Sequence, residues 1–351
     1  MVILGENAPW TRRPGTGDRK AMKRPTLAVV AARAGVSKSS VSRVVNGETT
    51  VAPEIRDVVM RAVRELGYVP NAAARNLVTR RTDAVAVVVS DPPKGVVSDD
   101  PLFSTVVRTV SRELEAVGRR VVLILAESDE SRARVERYVA GGHVDGVMLV
   151  ALHGADPLPA ALARMGLPVA SFNRTAATDV PYVALDNAGG AELAVRHLLE
   201  RGRRRIATIT GPLDLYESRE RLEGYRAPLR DTGRRSIVAL GEFTRESGAE
   251  AMRQLLEDDP DVDAVFAAND LMAIGALRTL HQAGRRVPDD VAVVGFDDIE
   301  AAAYTTPALT SVRSSMADQA TATVRLLLAL IEGGPRKPVI MPNELVVRES
   351  S

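Results

Sequence analysis

Short β-branched runs recur at 84–89, 121–125, 144–150, 168–172, 206–210, 237–240, 262–267 and 291–296, with amphipathic stretches such as 102–117 and 188–201 between them. Strands that alternate with helices in this way are buried on both faces, which predicts parallel, doubly wound sheets covered by helices on either side. In such sheets a ligand binds past the carboxyl ends of the strands, and two such subdomains would face each other across a cleft. At 351 residues the chain has room for this α/β body and for one further small domain.

That further domain is visible in the charge. The whole chain carries a formal +1, yet residues 1–82 hold 15 Lys and Arg against 6 Asp and Glu, leaving 31 against 39 for residues 83–351. A basic head of +9 before an acidic body of −8 is the asymmetry expected when one end meets a polyanion. The absence of cysteine removes disulfides, thiolate metal sites and a cysteine nucleophile. No apolar run approaches the ~18 residues of a membrane span, and the N-terminus lacks the order of a signal peptide, so a cytoplasmic protein is expected. Residues 1–21, rich in Gly, Pro and charge without a period, are predicted to be a disordered extension or an upstream mis-start.

The head itself reads as three helices. Thr26 can cap a first helix bearing Leu27, Val30, Ala31 and Ala34, and Gly35 can turn sharply after it. Ser37 is the natural cap of a second helix with Val41 and Val45 on one face and Lys38, Ser39, Ser42 and Arg43 elsewhere. Pro53 then sits where a first-turn proline belongs, and Ile55, Val58, Val59, Ala62, Val63 and Leu66 repeat up to Gly67. Helix, Gly-containing turn, polar second helix and third helix is the pattern of a helix-turn-helix module.

These residues, from Thr26-Leu27 through Ala34-Gly35-Val36-Ser37 and Val41 to Gly47, and again from Leu66 to Arg75, resemble the headpiece of the lac repressor/gal repressor family of bacterial regulators. The resemblance implies that Lys38, Ser39 and Arg43 read base edges in the major groove, as their donors permit. It implies phosphate contacts for Thr26, Ser37, Ser40, Ser42, Asn46 and Asn71. It also implies a hinge over 68–82, with Ala73, Ala74 and Leu77 at the minor groove and Leu77 wedged between bases. Two positions depart from the family's pattern, Val29 in the first helix and Ala52 before Pro53, where a cap worth ~1 kcal/mol is lost unless a neighbour such as Thr50 replaces it.

For the body the resemblance implies a periplasmic-binding-protein-like core. The expected division is a helix-turn-helix domain at 22–67, the hinge at 68–82 and an effector-binding and dimerisation domain at 83–351. Within the last, 83–184 plus 313–335 would form the first subdomain and 185–312 plus 336–351 the second. Asn173, Arg219, Phe243, Asn269 and Asp297 match positions that line the family's effector pocket, with Arg221 used by some members; each follows a predicted strand end. An aromatic platform with amide, carboxylate and guanidinium around it suits a polyol. Helix capping is the competing role for Asn269 and Asp297 and plain core for Phe243, while Asp270 and Asp298 are expected as caps.

The sequence therefore predicts a DNA-binding regulator, most simply a repressor. It would bind a pseudo-palindromic operator as a homodimer and be relieved by a sugar or sugar derivative. The four histidines lack metal spacing and no phosphate loop or nucleophile elbow occurs, so no enzyme activity, cofactor or metal is expected. A solute-binding receptor, an activator or a corepressor-dependent regulator are the alternatives, and without a C-terminal leucine-rich helix no tetramer of the family's kind is expected.

Overall fold

The computed structural model describes residues 25–46, 48, 50–69, 81–90, 101–150, 156–176 and 179–351. The expectations for residues 1–21, for Asn71 and for Ala73, Ala74 and Leu77 lie outside that set. The described chain forms two compact units, divided at Arg80.

In the first unit, helices α1 (Leu27–Ala34), α2 (Lys38–Val45) and α3 (Pro53–Leu66) enclose Val30, Ala31, Val41, Val44, Val59, Ala62 and Tyr68. Gly35 closes α1 at φ +67°, a left-handed conformation that glycine adopts without steric cost. Ser37 caps α2, its hydroxyl accepting from the Ser40 N–H at 3.1 Å. Val44 is buried as fully as Val41, with Val45 packed partly against them, so the inward face is one residue broader than the i, i+4 spacing indicated. Thr26 and Ala52 stand at the caps of α1 and α3 without a side-chain cap bond.

The second unit carries two six-stranded sheets. The first has the order β11-β5-β4-β3-β1-β2: β1 (Ala84–Ser90), β2 (Arg120–Ala126), β3 (Gly146–Val150), β4 (Val169–Phe172), β5 (Tyr182–Leu185) and β11 (Val339–Met341), all parallel. Helices α4 (Pro101–Ala116), α5 (Asp129–Ala140), α6 (Leu158–Arg164) and α11 (Met316–Ile331) pack on it. The second has the order β12-β10-β9-β8-β6-β7: β6 (Ile206–Thr210), β7 (Ile237–Leu240), β8 (Ala264–Ala267), β9 (Ala292–Asp297), β10 (Thr310–Arg313) and β12 (Glu344–Val346). There β12 alone runs antiparallel, against β10. Helices α7 (Asn187–Glu200), α8 (Tyr216–Asp231), α9 (Arg245–Asp258) and α10 (Asp270–Gln282) cover this sheet.

Strands β1, β3, β4, β6, β8 and β9 are buried along their whole length, which is why they read as continuous Val/Ile/Ala runs rather than alternating ones. The entry to the body is anchored by Asp145, whose carboxylate receives the Thr82 and Asp83 N–H groups and the Arg119 guanidinium.

The chain passes between the sheets three times, at 185–187, 313–316 and 341–344. Residues 336–351, expected as a block in the second subdomain, are in fact divided. Residues 339–341 pair with β5 of the first sheet and 344–346 with β10 of the second. Three-residue strands at the sheet margins are too short to leave a periodic signal, and only the tertiary pairing separates them. Asp186 ties the first crossing to the third: its N–H donates to the Met341 carbonyl at 2.8 Å and its carbonyl accepts from Asn343 Nδ2 at 2.6 Å.

Candidate functional site

In the first unit, Lys38, Ser39 and Arg43 are all exposed, while Val41 and Val44 on the same helix are buried. Ser37 Oγ lies 2.7 Å from Ser39 Oγ and 2.9 Å from Ser40 Oγ, so the first turn of α2 carries a cluster of hydroxyls on a helix end whose dipole favours an anion. Asn46 Nδ2 reaches back to Ser42 Oγ at 3.4 Å, and Arg43 stands 4.0 Å from Glu48. A short-armed, basic, exposed helix supported by two others can enter a major groove and present donors to base edges.

In the second unit the candidate residues gather where the strand ends of the two sheets meet. Arg221 is 5% exposed and each of its three nitrogens is engaged. Nε donates to Asn187 Oδ1 at 2.9 Å, one terminal nitrogen donates to the Ala268 carbonyl at 2.5 Å, and the other lies 3.6 Å from the Asp297 carboxylate. The guanidinium also stacks over the Phe296 ring, 3.7 Å from its centroid. Asp297, 6% exposed, takes the Ser314 hydroxyl at 3.2 Å.

Arg219 is placed differently. It is exposed, lies over the Tyr216 ring at 4.5 Å and reaches only the Asp214 carbonyl, at 3.5 Å. Helix geometry decides between the two arginines: Arg221 lies four residues before buried Tyr225 and so faces inward, whereas Arg219 does not. The inward-facing arginine is thus Arg221, whereas the resemblance put Arg219 first.

Asn269 is 4% exposed and each end of its amide makes one hydrogen bond to the protein. Its Oδ1 caps α10 by accepting from the Met272 N–H at 2.9 Å, and its Nδ2 donates to the Phe243 carbonyl at 3.0 Å. It is thus a cap that also fixes Phe243, rather than a free amide. Phe243 sits at φ +59°, half-buried against the core of the second sheet, with its ring laid over Gly211. A Cβ at Gly211 would come within 2.1 Å of that ring. Gly211→Val is therefore expected to displace the ring and weaken effector binding by at least ~10-fold, checked by calorimetric titration beside the unaltered protein.

Asp270, expected as a cap, is instead a clamp. Its buried carboxyl accepts the Ser311 hydroxyl at 2.6 Å and the Ile299 N–H at 2.8 Å, holding the turn in which Asp297 and Asp298 both adopt positive φ. Burial, followed by the nearby Asp297, holds this carboxyl well above the usual range. Asp298 pairs with Arg313 at 2.8 Å and Arg348 at 2.6 Å, which joins the turn to β10 and to the chain after β12.

Asn173 follows β4 at φ +83°, which asparagine tolerates better than most residues. Its Oδ1 accepts from Gln319 Nε2 at 2.8 Å and its Nδ2 donates to Glu217 Oε1 at 3.2 Å. Gln319, Glu217 and Asn187 are site residues that sequence reasoning missed. Gln319 left a signal, a fully buried amide within the apolar stripe of Ala320, Val324 and Leu327. Glu217 left one too, four residues before Arg221 on the same helix face. Among the described residues no group of three or more acidic or histidine side chains is placed to hold a metal ion, and no helix is long and apolar enough to cross a membrane.

An exposed basic helix-turn-helix followed by a two-subdomain body with a polar cleft defines a DNA-binding sensor. Residues 26–71 match the family described as "Bacterial regulatory proteins, lacI family", and residues 195–351 match the "Periplasmic binding protein-like domain". The chain is 47% identical over 336 residues to the HTH-type transcriptional regulator CelR of Thermobifida fusca, covering 93% of this chain and 98% of that protein. It is also 34% identical over 332 residues to the transcriptional regulator AscG of Escherichia coli, covering 93% and 98%. Among solved structures, a CelR–cellobiose complex superposes with TM-score 0.73 at 44% identity, covering 93% of this chain and all of that one. A lac repressor dimer bound to operator and the anti-inducer ONPF gives TM-score 0.82 at 28% identity, covering 93% and 99%. The chain belongs to the lacI family of bacterial regulatory proteins. It is a transcriptional regulator with a helix-turn-helix DNA-binding domain and a periplasmic-binding-protein-like core.

Proposed function

We propose that this regulator is a cytoplasmic, non-enzymatic repressor. As a homodimer it binds a pseudo-palindromic operator through Lys38, Ser39 and Arg43, and it releases DNA when a small neutral sugar enters the cleft. The observation that carries the effector half is the set of Phe243 over Gly211 beside Arg221, Asp297 and Asn173: a ring for the apolar sugar face and polar groups for its hydroxyls. Cellobiose is the first sugar to test, because the CelR complex holds it at 44% identity. Phosphate contacts fall to Thr26, Ser37, Ser40, Ser42, Asn46 and Asn71, and the minor-groove wedge to Leu77 with Ala73 and Ala74.

The homodimer is supported by the sheet margins. Strands β2 and β7 end their sheets, and they expose Leu123 (43%), Leu125 (36%), Val238 (37%) and Leu240 (67%). Open edge strands bearing leucine are a liability unless something covers them, and a second copy would cover both.

A gel shift with the DNA upstream of the protein's own gene tests the reading. A specific, salt-sensitive complex is expected, dissolved by cellobiose. Tightening by the sugar would make it a corepressor, and a complex indifferent to cellobiose, glucose and ribose would remove the sugar assignment.

A further inference from the structure

Asn173 and Glu217 stand on opposite sides of the cleft, Asn173 after β4 of the first sheet and Glu217 in the first turn of α8 on the second. The polarity of their contact is fixed from behind. Gln319 Nε2 donates to the Val183 carbonyl at 2.9 Å, an oxygen that can only accept, and this settles which end of the Gln319 amide faces Asn173. Asn173 must then offer its oxygen to Gln319 and its NH2 to Glu217. The next residue repeats the crossing: Arg174 lies 3.4 Å from the Glu220 carboxylate and 5.7 Å from the Tyr216 ring centroid. Residues 173 and 174 of one subdomain thus grip the first turn of α8 on the other.

We propose that Glu217 is a specificity-determining residue of the cleft, whose contact with Asn173 is replaced by a single ligand hydroxyl, selecting neutral polyols and rejecting anionic sugars. The inference rests on the reading of the cleft as a sugar site. A hydroxyl accepts from Asn173 Nδ2 and donates to Glu217 at once, so both partners stay satisfied when it enters. A phosphate or carboxylate could accept from Asn173 but would face Glu217 as a like charge. The one buried cation nearby, Arg221, is committed to Asp297, Asn187 and the Ala268 carbonyl; Arg174 is paired with Glu220, and Arg219 is exposed over the Tyr216 ring. Burial raises the Glu217 carboxyl above its ordinary range, opposed by a backbone hydrogen bond, Arg221 and Asn173, so the rejection of anions is expected to weaken as the pH falls and the carboxyl takes up a proton.

The test has two arms. Calorimetric titrations of the full chain and of E217Q use cellobiose, glucose and ribose beside glucose 6-phosphate, ribose 5-phosphate and glucuronate. At least one neutral sugar is expected to bind the unaltered protein ~100-fold more tightly than its anionic counterpart. In E217Q that ratio is expected to shrink by ~10-fold or more, since Gln can still accept from Asn173 but carries no charge. An anionic sugar bound as tightly as the neutral one, or a ratio unchanged in E217Q, overturns the proposal. The second arm needs no ligand: the Tm losses of N173A and E217A are expected to be non-additive in the double variant, and additive losses overturn the contact itself. If none of the sugars binds, the sugar reading falls and this second arm decides alone.

Discussion

Arg43→Ala is expected to abolish specific operator binding while leaving non-specific binding to DNA almost unchanged. A bidentate guanidinium–guanine contact contributes about 1–3 kcal/mol of discrimination. A two-fold operator would lose it twice, about 2–6 kcal/mol in all, or between about 30-fold and about 10⁴-fold in affinity. The side chain is exposed at the end of α2 and packs against nothing in the core formed by Val30, Val41 and Val59, so the head should stay folded. Gel shifts at several salt concentrations separate the possibilities. If Arg43 reads bases, the specific complex disappears and the salt slope of the residual binding is preserved. If affinity falls equally for every sequence and the slope drops by about one per subunit, Arg43 is a phosphate contact and the base-reading assignment is wrong.

The second large effect is expected at Arg221→Ala. Removing one member of a buried ion pair strands the other, here the Asp297 carboxylate at 6% exposure, and such losses run to about 3–5 kcal/mol. Against a total stability of about 5–15 kcal/mol this is a large share, and it should appear as a lower urea midpoint with an unchanged slope. The double variant Arg221→Ala with Asp297→Ala removes the stranded charge as well. It is expected to recover part of the loss while still failing to respond to effector. A double variant as unstable as the sum of the two single ones would mean that the pair is not coupled.

The same arginine shows what was legible in the sequence. The α/β body was legible because buried parallel strands must be continuous apolar runs, and the head because Ser37, Gly35 and Pro53 each have a specific local task. The strand ends that gather in the cleft were legible as a set, but which side chains turn inward there was not. Resemblance favoured Arg219, while the spacing of Arg221, Tyr225 and Leu229 on α8 already marked Arg221 as the inward residue. Asn269 was suited by sequence both to a ligand contact and to a cap, and only the Phe243 carbonyl, which it also binds, shows how it does its work. Glu217 and Gln319 each left a local signal of an inward polar residue, but their meaning depends on a shared partner, Asn173, 44 and 146 positions away. The division of 336–351 between sheets escaped for a related reason, since β11 and β12 are defined by what they pair with.

The three passages of chain between the sheets have a mechanical meaning. One covalent strap would let the subdomains twist, shear and bend independently, and two would still allow a scissoring motion. Three straps, the first and third joined through Asp186, Met341 and Asn343 and the second and third through Arg313 and Glu344, remove most of those freedoms and leave rotation about the strap region as the soft coordinate. A ligand hydroxyl that comes between Asn173 and Glu217 would then have little choice of outcome. On that proposal a change in one hydroxyl contact would become a rotation of one fixed kind, felt at the opposite end of the first sheet, where Asp145 holds the start of β1.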